Sequence, residues 1–313
     1  MNSVIETWRV KQFTANVYHL SQQKASVLAP LVRKETFKGN AEYFDRLGTA
    51  EAIEKTARNS DTPNLDIDHS RRMLITKKYE WATLVDKWDK LENIHNPESE
   101  YAIAARNAMG RKMDSIIIDS LLGVARSGES GGSSVILPNT QKLAAVSAGS
   151  LSGLNIQALR KAKFLLDDKD VVGKRYIAIT PANLEALLTQ VEVTSADYNS
   201  VKALVNGELN TFLGFEFKVV SSSIMPLAAA YNASVFKYST TTGLYNSGGT
   251  AVGATNISAI AFIGDGVICG MHESMSGRVD ERNDKSYSAQ VYASMDLGGV
   301  RMEEEKVVQI VTA

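Results

Sequence analysis

Side chains of the kinds that bind metals stand close together at one place in the sequence, at Asp66, Asp68 and His69. Their spacing does not match the calcium loop of helix–loop–helix proteins, which also needs a glycine at its sharp bend. The other histidines are scattered and form no HExxH motif or other zinc spacing. The sequence therefore predicts a solvated polar segment here and no metal site. These other histidines are His19, His95 and His272.

Two glycine-rich stretches resemble parts of phosphate-binding loops. Gly264-Asp265-Gly266 with Gly270 follows an apolar run, but the last glycine is one place late for a dinucleotide fingerprint and no helical pattern follows. Residues 127–134, SGESGGSS, lack the Lys-Ser/Thr pair of a P-loop. We interpret the first stretch as a glycine turn and the second as a flexible linker, and we predict no cofactor.

The single cysteine, Cys269, is the other candidate nucleophile. His272 follows three residues later, and two side chains at that spacing on a strand point to opposite faces, so they form no nucleophile–base pair. No GxSxG motif is present. We predict no catalytic residue and a protein that is not an enzyme. In the alternative, an α/β enzyme with an inserted hairpin, Cys269, His272 and Asp265 would converge in one pocket.

The composition is that of a globular chain without a strong electrostatic preference. Of 313 residues, 44% are hydrophobic and 22% are charged, and the formal net charge is −1. This balance excludes the basic field that drives bulk nucleic-acid binding. One cysteine excludes an internal disulfide and fits a reducing compartment. Because no membrane span or signal-peptide pattern is present, we expect no membrane partner and synthesis in a cytoplasm.

The longest helical pattern extends from Asn96 to Arg126. Asn96 is a suitable N-cap, and Pro97 fits the first helical position. At 1.5 Å per residue this helix would be about 45 Å long, which exceeds the width of a small domain. We interpret it as a spine whose apolar second half is covered by the closing strands at 289–311. Its expected structural residues are Met109, Met113, Ile116, Ile117 and Val124.

Near-alternation of apolar and polar residues from Arg72 to Val85 predicts one long, half-buried strand. We expect its partner strand within residues 39–55 and a polar connection over 56–70. A two-stranded hairpin of this kind is marginally stable alone. We therefore expect it to rest on a neighbouring molecule.

The two expected hairpin strands carry opposite charge. Their charges either pair within the hairpin or match a neighbouring subunit, and the sequence favours neither. The acidic run 303–305 is interpreted as a solvated strand edge. The charges in question are Arg71, Arg72, Lys77 and Lys78 on the second strand and Asp45, Glu51 and Glu54 on the first.

The C-terminal half mixes helical and strand patterns around one expected core. Helical patterns cover residues 152–171 and 181–190, and strand patterns cover 174–180 and 212–223. Two further strands are expected at 290–295 and 305–311. Leu297-Gly298-Gly299 between them is interpreted as a turn.

This order of arm, hairpin, spine, linker, mixed domain and returning strands resembles the major capsid proteins of tailed bacteriophages, of the Hong Kong 97 phage type. Three stretches look like a podophage-type branch of that family: residues 38–90, which begin KGNAEYFDRL, residues 99–118, SEYAIAARNAMGRKMDSIII, and residues 292–310, YASMDLGGVRMEEEKVVQI. The resemblance implies an α+β fold in five parts. They are an N-terminal arm (1–37), an extended β-hairpin loop (38–88), the spine helix and linker of a peripheral domain (89–139), an axial domain (140–267) and the returning strands of the peripheral domain (268–313).

The resemblance also implies a virion protein that self-assembles into the hexamers and pentamers of an icosahedral shell around packaged double-stranded DNA. A scaffolding protein would guide assembly in the host cytoplasm. A portal protein and a decoration protein would be further partners, and contacts with DNA would be weak and non-specific. The shell of a bacterial encapsulating nanocompartment is the alternative with the same fold. Contacts between subunits are expected in the arm and extended loop, at Tyr43, Asp45, Arg46, Glu51, Arg58, Arg71, Arg72, Lys77, Lys78 and Trp81.

Overall fold

The computed structural model describes residues 23, 25–58, 62, 64–85, 98–190, 211–225, 237–245, 250–251 and 256–313. The expected arm pattern before residue 23 and the expected helix start at Asn96 and Pro97 lie outside these residues. Helices and strands both contribute to the described part, so the predicted α+β class is confirmed. No helix within the described residues is long and apolar enough to cross a membrane.

Three helices are described: α1 (Glu98–Leu122), α2 (Ile156–Asp167) and α3 (Pro181–Leu188). Side chains cap the two shorter ones as sequence rules require. The Asn155 side-chain oxygen accepts from the Ala158 amide at 2.7 Å, and the Thr180 hydroxyl accepts from the Asn183 amide at 3.3 Å, with Pro181 in the first turn. Both predicted helices of the C-terminal half are therefore confirmed.

The first sheet contains the hairpin. Its strands are β2 (Ala41–Leu47), β3 (His69–Ile75), β5 (Ala125–Ser127) and β6 (Ser133–Val135), in that order across the sheet. β2 and β3 pair antiparallel over their full length. The predicted linker over 127–134 is wrong. It is a tight turn between β5 and β6, with Gly128 and Gly131 at positive φ, and a side chain at Gly131 would overlap Met73.

The second sheet lies on the spine helix. Its order is β1 (Arg33–Thr36), β16 (Val267–Arg282), β17 (Ser288–Arg301) and β4 (Lys77–Val85). The single strand expected over 72–85 is therefore two strands, because the chain leaves the hairpin sheet at Thr76 and joins this one.

The turn expected at Leu297-Gly298-Gly299 is also wrong, because β17 runs straight through it. Small residues are needed there for close packing instead. A Cβ atom at Gly298 would overlap the Ile75 carbonyl oxygen, and one at Gly299 would overlap the Ser120 side chain.

A six-stranded mixed sheet forms the core of the C-terminal half. Its strands are β7 (Lys142–Ala144), β10 (Arg175–Ile179), β11 (Thr211–Phe212), β12 (Phe215–Val219), β15 (Ile257–Ile263) and β18 (Val307–Thr312). Their order across the sheet is β11-β12-β10-β15-β18-β7. Helices α2 and α3 contribute their apolar faces to the same core. Two small pairs complete the described strands: β8 (Val146–Ser147) with β9 (Ser150–Leu151), and β13 (Lys237–Tyr238) with β14 (Thr250–Ala251).

The second half of the spine is buried as predicted. Ile117 and Leu121 are fully buried in a cluster with Met295 and Leu297 of β17. Met109 and Ile116 are also buried in that cluster, and Met113 packs against it. The helix ends at Leu122, earlier than expected. Val124 therefore lies beyond it and is 56% exposed.

Candidate assembly surfaces

The middle of the hairpin carries one internal group of the expected contact residues. Asp45 and Arg71 are register partners on β2 and β3, and the Arg71 Nε atom lies 2.5 Å from the Asp45 carboxylate. The Arg71 guanidinium also lies 5.6 Å from the centre of the Tyr43 ring, in cation–π geometry. The hydrogen bond from Arg71 lowers the pKa of Asp45. For this pair, the charges match within the hairpin.

The outer half of the hairpin is tied to the body through Glu304, in the 3₁₀ turn before β18. Arg72 Nη2 donates to Glu304 Oε1 at 2.6 Å, and Arg46 Nη1 lies 3.7 Å from Oε2. The Glu304 side chain is 16% exposed. The interpretation of residues 303–305 as a solvated edge is therefore wrong for Glu304, because arginines more than 200 residues earlier in the chain surround it.

The other expected contact residues lie apart from these two groups. Lys77, Lys78 and Trp81 lie on β4, in the sheet on the spine, and Trp81 packs against the spine core. Glu51 and Arg58 are exposed in the hairpin tip, which is defined here as residues 48–68.

A second junction holds the end of the arm against the spine through Asp114. This fully buried carboxylate accepts hydrogen bonds from the Val27 and Leu28 amides at 3.0 Å each, and from the side chains of Gln23 and Ser26. The arm also passes close to Gly110, where a Cβ atom would lie 3.1 Å from the Ser26 nitrogen. Asp114 stands between Met113 and Ile116 in an apolar part of the helix. A lone carboxylate at such a position is a sequence signal for a buried junction, and the sequence prediction did not include it.

The sequence features that resembled chemical sites have structural explanations. Gly264–Gly266 forms a 3₁₀ turn between β15 and β16, so the predicted turn is confirmed. Cys269 is buried on β16, and burial raises the pKa of its thiol to about 11, so it stays protonated at neutral pH. His272 contacts the Phe37 carbonyl oxygen through Nδ1 at 2.9 Å. Among the described residues, no three His, Cys, Asp or Glu side chains are grouped closely enough to hold a metal ion.

A cleft of about 1250 Å³ beside α2 is the place where an enzyme site would be sought. Residues from β8, α2 and β11 line it, among them Asn155, Gln190 and Phe212. Arg160 is the single ionisable side chain among its described lining residues. General acid–base catalysis needs a side chain whose pKa lies near the working pH. The Arg160 guanidinium stays protonated throughout that range, so it does not act as such a group.

Comparison with solved structures finds the same fold in phage capsids. The capsid structure of the cyanophage P-SCSP1u has a TM-score of 0.71 and 17% identity, over 100% of this chain and 95% of that one. The capsid of Ralstonia phage GP4 has a TM-score of 0.68 and 10% identity, over 100% and 98%. The structure from Mycobacterium phage Che8 has a TM-score of 0.65 and 16% identity, over 96% of this chain and 97% of that one. No curated protein shows significant sequence similarity to the chain.

The family model described as phage capsid protein matches residues 5–313, so the chain belongs to that family. It is a major capsid protein: a structural component of the virion that self-assembles into an icosahedral shell. The resemblance noted in the sequence is confirmed.

Proposed function

We propose that copies of this capsid protein form the hexamers and pentamers of a shell that encloses packaged double-stranded DNA, and that each hairpin tip rests on a neighbouring copy. The five-part division, from arm (1–37) to returning strands (268–313), belongs to this proposal. One structural adjustment follows from the strand pairing: β4 pairs with β17 and β3 pairs with β5, so the part free to reach a neighbour is the tip, residues 48–68.

The exposed apolar surface of the hairpin carries this proposal. Leu47, Ile53, Leu65 and Ile67 are 70%, 58%, 45% and 40% exposed, and all lie in or beside the tip. Full burial of an aliphatic side chain of this size contributes about 1.5–3 kcal/mol. Exposed apolar side chains gathered in one segment are typical of protein interfaces, and a neighbouring copy in the shell would cover them.

Charge indicates where on the neighbour the tip would lie. The sequence 48–68 contains five acidic and two basic residues, which gives a net charge of −3. The first half of the spine begins with Glu98 and Glu100 and then carries the exposed basic residues Arg106 and Lys112. A net-acidic tip favours a surface with exposed cations, so we place the tip of one copy over Arg106 and Lys112 of the next.

The remaining partners follow from the same role. A scaffolding protein would guide assembly in the host cytoplasm, a portal protein would occupy one vertex, and a decoration protein would bind outside. Contacts with DNA would be weak and non-specific because the net charge is −1. The protein would act without catalysis.

The test is a triple variant of the tip, Ile53→Ser with Leu65→Ser and Ile67→Ser, expressed with the phage's scaffolding protein. We expect an unchanged unfolding midpoint and loss of shells in negative-stain images, because the substitutions lie outside the core. Deletion of residues 56–68 should have the same effect. The matched control is Val172→Ser, which removes an apolar side chain that is 87% exposed in the axial region. Normal shells from the tip variants would refute the proposal.

A further inference from the structure

Glu304 joins three separate parts of the molecule. Its two carboxylate oxygens face Arg72 and Arg46 of the hairpin and Arg301 at the end of β17, whose Nε lies 3.6 Å from Oε1. Three formal positive charges thus converge on one negative charge. Arg301 has a fully buried side chain and Arg72 is only 5% exposed, so solvent screens them weakly.

Most donors of Arg301 are already used for another purpose. Arg301 Nη1 donates to the carbonyl oxygens of Leu121 and Gly123 at 2.8 Å each, and Nη2 donates to that of Val135 at 3.2 Å. Arg301 is therefore fixed to the end of the spine. Glu304 links this fixed guanidinium to Arg46 and Arg72 of the hairpin.

The hairpin is held to the body at two levels. Near its base, Leu74 of β3 is fully buried in a cluster with Phe37 and Ile268, and β3 pairs with β5 at two positions. Arg46 lies only two residues before the tip, so its ion pair with Glu304 holds the hairpin farther out than the packing of Leu74 does. The ion-pair cluster therefore bears on the direction of the tip.

We propose that Glu304 is a positioning residue for shell assembly: it fixes the angle at which the hairpin leaves the body and so the place where its tip meets the next copy. This inference rests on the proposed contact between the tip and a neighbour. The carboxylate holds Arg46 and Arg72 against Arg301. Without its charge, three guanidiniums face one another and repel, and the hairpin turns away about Thr76.

The experiment compares Glu304→Gln with Glu305→Gln, a matched change at the exposed next residue. Hydrogen exchange of the full-length unassembled chain reports on the hairpin strands, and cryo-electron microscopy of particles made with scaffold reports on assembly. For Glu304→Gln we expect about tenfold faster exchange in 41–47 and 69–75, unchanged exchange in the spine, and shells of irregular diameter. Glu305→Gln should match the wild type.

A second variant covers the case in which Glu304→Gln fails to fold. Arg46→Gln removes one partner whose side chain is 27% exposed, and it leaves no buried charge behind. It should speed exchange in the same two strand segments. Wild-type exchange and uniform shells in either folded variant would overturn the positioning role, and so would a uniform rise in exchange over the whole body. Failure of the proposed function is a different result: normal shells from the tip variants.

Discussion

The Arg301 guanidinium donates a hydrogen bond to the Leu121 carbonyl oxygen at 2.8 Å, although 180 residues separate the two in the chain. The last turn of α1 contains no basic residue of its own. The last carbonyl groups of a helix lack internal partners, and its C-terminus carries partial negative charge. A residue of β17 therefore caps the spine, and the closing strand and the helix stabilise each other.

Replacement of this residue is the first prediction. Arg301→Met should lower the free energy of unfolding by about 3–5 kcal/mol, because it removes one partner of a buried charged cluster and leaves helix carbonyls without donors. Urea unfolding followed by circular dichroism measures this change. Arg278→Met, at a site on β16 where the side chain is 72% exposed, is the control. Equal stability of the two variants would contradict the capping role.

The arm junction gives a second prediction. Asp114→Asn replaces an oxygen that accepts hydrogen bonds with an amide NH₂ that faces donors. We expect a loss of about 1–3 kcal/mol and release of the arm, so that limited proteolysis cuts near residues 23–29 much sooner. Asp119→Asn, the same change at an exposed position of the same helix, should leave the rate of cleavage near residues 23–29 unchanged. Unchanged cleavage in Asp114→Asn would mean that other contacts hold the arm.

The buried half of the spine gives a third prediction. Ile117→Asp should yield no soluble folded protein, since an isolated carboxylate would be placed among Met295, Leu297 and other apolar side chains. Ile103→Asp makes the same change where the side chain is 44% exposed and should leave the fold intact. Soluble yield and circular dichroism distinguish the two. Shell-competent protein from Ile117→Asp would refute the spine packing.

The buried thiol gives a pH-dependent prediction. Burial raises the pKa of Cys269 from about 9 to about 11, so the folded chain keeps this proton at a pH where the unfolded chain has released it. The stability contributed by the neutral thiol is therefore present below about pH 9 and is lost as the pH rises towards 11.

The measurement is the slope of unfolding free energy against pH between 9 and 10.5. Wild type should fall more steeply than Cys269→Ala, by up to about 1.4 kcal/mol per pH unit. Identical slopes, or rapid alkylation of the folded protein at pH 8, would show that the thiol is not protected.

Local patterns predicted the parts of the fold that depend on local chemistry. The helical patterns over 152–171 and 181–190 and the apolar run around Ile117 were enough to predict α2, α3 and the buried spine. The alternation over 72–85 failed at Thr76 because β3 and β4 keep the same period while they change sheets. Gly298 and Gly299 were interpreted as a turn, since a glycine required by close packing looks the same in sequence as a glycine required by a bend.

The junctions could not be predicted, because they join residues that are distant in sequence. Glu304 meets Arg72 across 232 positions, and no spacing rule relates the two. Arg46 and Arg72 were expected as contacts between subunits, whereas both lie against Glu304 of their own chain.

The strand switch at Thr76 has a mechanical consequence. β3 and β4 lie on either side of a single residue, and β4 forms nine register pairs with β17. In the proposed shell, a pull on the hairpin that reaches Thr76 would enter β4 through the backbone. Its component along β4 would load all nine pairs in shear at once, whereas a sideways component would open them one after another. The nine pairs between Lys77 and Val85 would thus carry a load along the strand together.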